Sequence, residues 1–411
     1  MLSVHPTASP PAGTASSWAF PHSHATRDPR LDLMRGFVFV LLFAVHFDVF
    51  SVYTFLSWER IGVVSSAETF VALAGIVVGI VFGRKMRVDG LRACVRPMLS
   101  RALDLYKANL IVILLIGLLR YQPWLDMAEV TSFTDPYTGM VYPLYPLLSE
   151  GVWKLLLDAA LLRCGPHQFQ VIGLYVVLFL LSPLVLYCID RRKTLWLSAA
   201  SVALYTYNFL LPETVSGTAE LRLTGAQFEY AFPLAAWQLL YVHAVIAGVF
   251  KEQIVEYLSR TSTRWLVWLS VALTAAFLVF TLNHPMDKFP PWAQLRLLDD
   301  QQFLDLYRRF FLKHNLGPGR LLNEVVLFIS GFALLTVCWR PIERALGWFL
   351  IPLGSASLYV FTVHVFLVLL VDNTPLGQSA HFLVNSLLHT GLLLLVWWAV
   401  KKEWLFRWVP H

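Results

Sequence analysis

The stretch RLDLMRGFVFVLLFAVHFDVF, residues 30–50, begins as a charged helix start and continues as an apolar membrane segment. Its apolar part contains one imidazole, that of His46, and Asp48 follows two residues later. Burying a polar group in a bilayer is unfavourable, so the polar residues inside membrane helices often mark functional sites. The stretch therefore predicts a membrane-spanning helix that carries chemistry.

The composition also indicates a membrane protein. Of the 411 residues, 57% are hydrophobic and only 14% are charged, which is too little charge to cover a soluble protein of this size. We therefore expect the lipid bilayer as the main partner and no nucleic-acid partner.

Apolar runs of about 20 residues recur along the chain, and each is long enough to cross a bilayer as a helix. We predict an all-α polytopic membrane protein with about ten transmembrane helices in one bundle. The spans are predicted at about 34–54, 65–83, 102–120, 169–189, 194–211, 231–250, 265–282, 321–338, 350–371 and 381–400.

Lys and Arg are concentrated in alternate short loops, as in 84–96, 191–193 and 401–407. By the positive-inside rule these loops and both termini are cytoplasmic, in a multi-pass protein of the cell (inner or plasma) membrane. Residues 1–29 are rich in Ser, Pro, Ala and Thr, which predicts a disordered tail before a membrane domain over 30–411.

Two long segments, 121–168 and 283–320, lie on the predicted outer side. The first contains an amphipathic stretch, and the second contains a polar helix that runs into a Gly-Pro turn. Loops of this length are usually functional or disordered. Their aromatic and aliphatic anchors make us expect order and function.

Three polar residues of the first span, Asp32, Arg35 and His46, share one helix face because their offsets are three and eleven residues. His46 lies about 16 Å along the helix from Arg35, close to the bilayer midplane. A helix start and a positive-inside anchor would also explain Asp32 and Arg35. A hydrogen bond to a neighbouring backbone group would also explain His46.

In the second span Glu68 shares a face with Ala72, Gly75 and Gly79. Small residues let another helix or a ligand approach closely, although a Glu at a water-facing helix start is an alternative. The basic cluster Arg84, Lys85 and Arg87 follows; it satisfies the positive-inside rule and would also suit a phosphate-bearing donor.

Other polar residues allow two interpretations each. Trp237 and Gln238 lie in the outer part of the sixth span, where interfacial anchoring competes with substrate stacking. His364 shares a face with Ser357, and packing is the favoured role for it, as a structural role is for His243. The four cysteines show no metal-binding spacing, so no metal site is expected.

These residues stand in sequence blocks that resemble a known family. RDPRLDLMRG (residues 27–36), followed by His46, is similar to the opening of the OpgC-type membrane O-acyltransferases, which succinylate osmoregulated periplasmic glucans and belong with the wider acyltransferase family three. Further blocks resemble the family in order, namely SSAETFVALAGIVVGIVFGR, GPHQFQVIGLYVVLFLLSPLVL, FPLAAWQLLYVHAV and KHNLGPGRLLN. The resemblance covers nearly the whole chain after residue 26.

The resemblance implies an acyl group, succinyl or acetyl, that passes from cytoplasmic acyl-CoA to a hydroxyl of an extracytoplasmic glycan. It implies His46 as the general base with Glu68 as a second catalytic residue. Acyl-CoA is then a co-substrate, with no permanently bound cofactor. The sequence shows no evident arrangement for a nucleophilic Ser or Cys, so we expect direct transfer rather than an acyl-enzyme.

The positions of the polar and basic residues suggest where the two substrates bind. We expect the phosphates of coenzyme A at Arg35, Arg84, Lys85 and Arg87. We expect the glycan at Trp237, Gln238, Lys313, Asn315 and Arg320. A proton-coupled transporter or flippase of a glycan or small solute is the alternative, because midplane His and Glu residues also serve transport.

Overall fold

The computed structural model describes residues 28–134, 141–211, 222–377 and 381–407. The described residues form sixteen α-helices: α1 Pro29–His46, α2 Ser66–Asp89, α3 Arg92–Leu119, α4 Ala128–Thr131, α5 Gly151–Ala160, α6 Gln170–Asp190, α7 Thr194–Leu210, α8 Leu234–Val249, α9 Lys251–Ser259, α10 Trp265–Thr281, α11 Asp300–Phe310, α12 Pro318–Val337, α13 Trp339–Ile342, α14 Trp348–Ser355, α15 Ser357–Asp372 and α16 Phe382–Lys401. A short antiparallel pair, β1 Ser132–Thr134 and β2 Val141–Pro143, places Ser132 opposite Pro143.

Each of the ten predicted spans overlaps a helix or a bent pair of helices. Only five helices in the described ranges are long and apolar enough to cross a membrane, or up to seven if each bent pair is one span. Two of the others, α7 and α10, have 17 residues each, and α1 begins with several charged residues. The protein is thus a helical membrane protein, and the count of ten spans stays a prediction.

The first predicted span, 34–54, is wrong at its end, because α1 stops at His46. The chain turns at Asp48, which has a positive φ of 43° and forms a salt bridge with Lys288. A short 3₁₀ helix, Val52–Phe55, then follows. His46 is therefore the last residue of a helix, where a side chain can face an opening between elements.

The ninth predicted span, 350–371, is not one continuous helix. The segment Trp339–Ser355 and α15 are inclined by 87°, because Ala356 leaves the helical conformation with φ −105° and ψ 44°. Helix α14 packs closely on α1, where a Cβ on Gly354 would lie 2.8 Å from the backbone nitrogen of Gly36. Helix α15 also contacts α1, so both halves of the bent pair pack on the helix that carries His46.

The small-residue face of α2 packs on α8. A Cβ on Gly75 would lie 2.7 Å from the Cβ of Ala244, and one on Gly79 would lie 2.8 Å from the Cα of Gly248. Only glycine allows backbones to approach this closely. Of the two predicted uses for this face, helix packing is therefore the one observed.

The predicted outer segments contain the expected helices, since α5 forms the amphipathic stretch and α11 precedes the turn that leads to Pro318. Residues 135–140 of the first segment lie outside the described residues, as do residues 1–27 of the predicted tail. At the start of the described chain Asp28 caps α1 and forms a 2.7 Å salt bridge with Lys251.

Candidate functional site

His46 and His364 form a hydrogen-bonded pair at the junction of α1 and α15. Nδ1 of His46 lies 2.7 Å from Nε2 of His364, and Nδ1 of His364 lies 2.7 Å from the carbonyl oxygen of Phe361. His364 has no exposed surface, whereas His46 is partly exposed. His46 can therefore meet a ligand, and His364 can act only through it.

Two further groups face His46. The ring of His167, in the 3₁₀ turn His167–Phe169 just before α6, lies 6.1 Å from the ring of His46, edge to face. The ammonium of Lys313 interacts electrostatically with both imidazoles. His46 and His167 are partly exposed and Lys313 is exposed, so solvent can reach this group of three side chains, and we call the accessible region around them the cleft.

Lys313 stands in the loop between α11 and α12. Its side chain is accessible, yet the surrounding protein reduces its hydration and lowers its pKa, an effect that the charge of Glu68 partly opposes. Within the described residues Lys313 has no ion pair, and its ammonium lies 5.8 Å from the centroid of the Phe232 ring. A cation placed in this way favours an anionic ligand or a developing negative charge in the cleft.

Arg320 and Glu68 belong to a buried ion network. Nη1 of Arg320 donates to Oε1 of Glu68 at 2.6 Å, and Nη2 forms a salt bridge with Glu59. Nη2 also donates to the hydroxyl of Tyr307 at 3.0 Å, and Nε donates to the carbonyl oxygen of Phe311 at 2.9 Å. Arg320 is fully buried and Glu68 is 1% exposed, so this network joins structural elements and neither side chain faces the cleft surface.

Trp237 and Gln238, predicted to bind the glycan, lie in the core. Trp237 is fully buried, and its Nε1 donates to the carbonyl oxygen of His314 at 3.0 Å. Gln238 exchanges two hydrogen bonds with Ser201, at 2.7 and 3.0 Å. Trp237 thus holds the loop that carries Lys313, and neither residue presents a surface to a sugar.

Asn315 lines a pocket beside the same loop. The pocket has a volume of about 220 Å³ and is lined by Asn208, Phe209, Leu211, Arg308, Arg309, His314 and Asn315. The side-chain oxygen of Asn315 and both polar atoms of the Asn208 amide are buried without a hydrogen-bond partner in the described protein. Such amides suit a ligand rich in hydroxyl groups.

The predicted donor residues lie near the start of α1 and near the end of α2. Arg35 lies 3.7 Å from Asp32 on α1. On α2 Arg84 is exposed, Lys85 forms a 2.8 Å salt bridge with Asp89, and an Nη1 of Arg87 donates to the carbonyl oxygen of Val249 at 3.4 Å. These contacts do not test whether Arg35 and the α2 cluster bind one phosphate group, so a shared phosphate site stays a prediction.

One carboxyl group outside the membrane helices titrates near neutral pH. Burial raises the pKa of Glu129 to about 7, and the neighbouring carboxylates of Asp372, Asp48 and Asp126 contribute. The side-chain nitrogen of Gln168 donates to the carbonyl oxygen of Glu129 at 3.1 Å. Glu129 therefore contacts the residue that follows His167, at the edge of the cleft.

Two features of the site were not predicted from the sequence. The sequence pattern does not distinguish His167 from other polar residues, and it favours a packing role for His364. The position of His167 at the start of a span, within a family-like block, was an available signal. The pairing of His364 with His46 had no local signal, because 318 residues separate the two.

Comparisons with known proteins bear on the whole chain. The family model described as OpgC protein matches residues 27–407. No curated protein and no solved structure shows a significant match to the chain.

Proposed function

Because the chain belongs to the OpgC protein family, we propose that it is an integral membrane acyltransferase. The acyl group, succinyl or acetyl, would pass from cytoplasmic acyl-CoA to a hydroxyl of an extracytoplasmic glycan. The family match supports a glucan-modifying membrane protein, and the donor, the acceptor and the base are the parts that this proposal adds.

The observation that carries the proposal is the partly exposed imidazole of His46 at the end of a membrane helix. Its Nδ1 is engaged by His364, and within the described residues no hydrogen bond occupies its Nε2. An alcohol is a poor nucleophile at neutral pH unless a base takes its proton. His46 is the group in the cleft that is suited to this step, since the Glu68 carboxylate is engaged by Arg320.

Direct transfer fits the described side chains. Ser51 and His389 form the kind of contact that a nucleophile and its base would make, with Oγ and Nδ1 2.6 Å apart. Both side chains are completely buried, so an acyl donor has no access to the hydroxyl. We therefore propose that the glycan hydroxyl attacks the thioester itself, without an acyl-enzyme.

The accessible cation of Lys313 suits the charge that develops in this reaction. The tetrahedral intermediate carries an oxyanion, and a preorganised cation in a site with little water stabilises it. Lys313 interacts with His46 and His167, so a carbonyl group bound beside His46 would lie in its field.

The two ends of the protein would take the two substrates. Arg35, Arg84, Lys85 and Arg87 lie toward the predicted cytoplasmic end and would hold the phosphates of coenzyme A. The pocket that contains Asn208 and Asn315 lies beside the Lys313 loop, toward the predicted outer end, and would hold a sugar. Trp237 and Arg320 would stabilise the loop beside this pocket through their hydrogen bonds to its backbone and would not contact the glycan.

The test is His46→Gln, with His243→Gln as a matched control. Nδ1 of His243 lies 2.9 Å from the carbonyl oxygen of Leu239, one turn earlier in the same helix. Glutamine retains hydrogen-bonding capacity but cannot act as a base. We expect His46→Gln to reduce acyl transfer by roughly 10²-fold or more, measured by mass spectrometry of surface glycans from deletion cells that carry each variant.

Succinyl-CoA and acetyl-CoA binding to the purified variants provides the second measurement. We expect His46→Gln to bind the donor as the unmodified protein does, and His243→Gln to retain transfer. Near-normal glycan acylation by correctly inserted His46→Gln would remove His46 as the base.

A carrier is the second candidate, and the two bent helix pairs favour it, because transporters often contain broken helices near their binding sites. The same mass spectra separate the two functions. An acyltransferase leaves a covalent acyl group on the glycan, whereas a carrier changes only the location of the glycan.

A further inference from the structure

The hydrogen bonds around His364 determine which nitrogen atoms carry protons. The carbonyl oxygen of Phe361 can only accept, so Nδ1 of His364, 2.7 Å away, must be the donor. A neutral His364 then has a lone pair on Nε2. The group that contacts this lone pair at 2.7 Å is Nδ1 of His46, which must therefore donate.

We propose that His364 is a positioning residue that holds His46 in the tautomer with the proton on Nδ1, so that Nε2 is the basic atom. This inference rests on the proposed function, in which His46 is the general base. It adds the partner that orients the base and the nitrogen atom that reacts.

The surroundings of the pair agree with these separate roles. His364 has no exposed surface and is surrounded by aromatic rings, with the rings of Phe43 and Phe361 at 5.8 and 6.0 Å. Substrate therefore cannot reach it. His167 and Lys313 also face His46, but within the described residues neither forms a hydrogen bond with it.

A neutral imidazole suits this environment better than a carboxylate. An ionised carboxylate among apolar side chains would require its own counter-charge. His364 can instead accept a hydrogen bond without carrying charge. When His46 becomes an imidazolium, its Nδ1–H bond to His364 becomes charge-assisted and therefore stronger.

The proposed step balances as follows. The O–H proton of the glycan hydroxyl moves to Nε2 of His46 while the oxygen forms a bond to the thioester carbonyl carbon. Collapse of the tetrahedral intermediate breaks the C–S bond. The proton on Nε2 then passes to the departing thiolate, which leaves as the free thiol of coenzyme A, and His46 returns to its starting tautomer.

Two variants of similar size test the role of His364. In His364→Gln the side-chain oxygen can occupy the position of Nε2 and accept from His46. In His364→Asn the amide can still donate to Phe361, but nothing remains at the position of Nε2. We expect His364→Asn to lower kcat roughly 10²-fold or more with little change in KM for either substrate, and His364→Gln to remain within about tenfold of the unmodified protein.

The kinetic assay follows the release of free thiol from succinyl-CoA or acetyl-CoA, with glycan extracted from deletion cells as the acceptor. If the role of His364 were purely structural, the activity of each variant would fall in proportion to its loss of folded protein. Equal activity of the two variants, whether high or low, would overturn the inference.

The unmodified protein provides a test that requires no variant to fold. Multiple-bond nitrogen–proton spectra of protein labelled with ¹⁵N-histidine distinguish the two tautomers, and the His46 signals are assigned by their absence in His46→Gln. A proton on Nδ1 supports the inference, and a proton on Nε2 overturns it. Loss of transfer in His46→Gln together with the wrong tautomer would leave the proposed function intact and reject only the part assigned to His364.

Discussion

At the scale of single residues, Glu129 couples folding to pH. Its pKa is raised to about 7 in the folded protein, so between pH about 4.5 and about 7 the folded state binds more protons at this site than the unfolded chain does. Stability from this group therefore decreases as the pH rises through that range. Glu129→Gln should remove the decrease, so its melting temperature in detergent should exceed that of the unmodified protein at pH 8 but not at pH 4.5.

Glu252 provides the control for this measurement, since it is an exposed glutamate on α9. Glu252→Gln should leave the pH dependence of the melting temperature unchanged. A difference between Glu129→Gln and the unmodified protein that stays constant from pH 4.5 to pH 8 would contradict the assignment.

The individual polar residues show how far the sequence could predict the site. His46 was recognisable because it stands alone in an apolar run, and Lys313 because it lies where a long segment re-enters the membrane. The sequence predicts that Trp237 lies in the outer part of a span, but helical periodicity does not show which neighbour covers its ring. Its burial under the loop of His314 is a tertiary contact that only the packed structure contains.

At the scale of helices, the contact between α2 and α8 depends on glycine. A Cβ at position 79 would meet the backbone of α8, so Gly79→Ala should force the two helices apart and reduce stability by about 1–3 kcal/mol. Gly331→Ala is the matched control, because a Cβ there meets nothing within 4 Å. Thermal unfolding in detergent should show a lower melting temperature for Gly79→Ala alone; equal melting temperatures would show that the α2–α8 contact tolerates separation.

The ends and breaks of helices were the least predictable elements. Apolar residues continue past His46 as Phe47, Val49 and Phe50, with Asp48 as the one charged interruption, so average hydropathy places the end of the span several residues after the end of α1. The bend at Ala356 lies in the small-residue run Gly354–Ser357, and membrane helices without a bend also contain such small residues, so the run does not mark the bend. In both places contacts with other elements decide the backbone, and such contacts are not visible in a local pattern.

At the scale of the whole molecule, the Arg320 network joins α12 to α2, to α11 and to the segment that contains Glu59. Arg320→Gln would leave the buried Glu68 and the partly buried Glu59 without their cation, and breaking a buried ion pair costs about 3–5 kcal/mol. Glu68→Gln should be milder, because Arg320 retains Glu59 and the new amide oxygen can still accept its hydrogen bond. Melting temperatures in detergent should therefore fall further for Arg320→Gln.

The same pair of variants tests whether Glu68 is catalytic. If the role of Glu68 is structural, glycan acylation by Glu68→Gln should fall only in proportion to the loss of folded protein. If Glu68→Gln remains fully folded and yet transfers no acyl group, Glu68 takes part in the chemistry, as the sequence suggested.

The distance in sequence between His46 and His364 has a consequence for biogenesis. A growing chain presents His46 early, but its partner is synthesised 318 residues later. Through most of synthesis and insertion, the first helix therefore lies in the membrane without the group that orients its imidazole. On the proposed mechanism, a stalled or truncated chain that lacks His364 reacts with thioester far more slowly, and full activity requires nearly the whole protein.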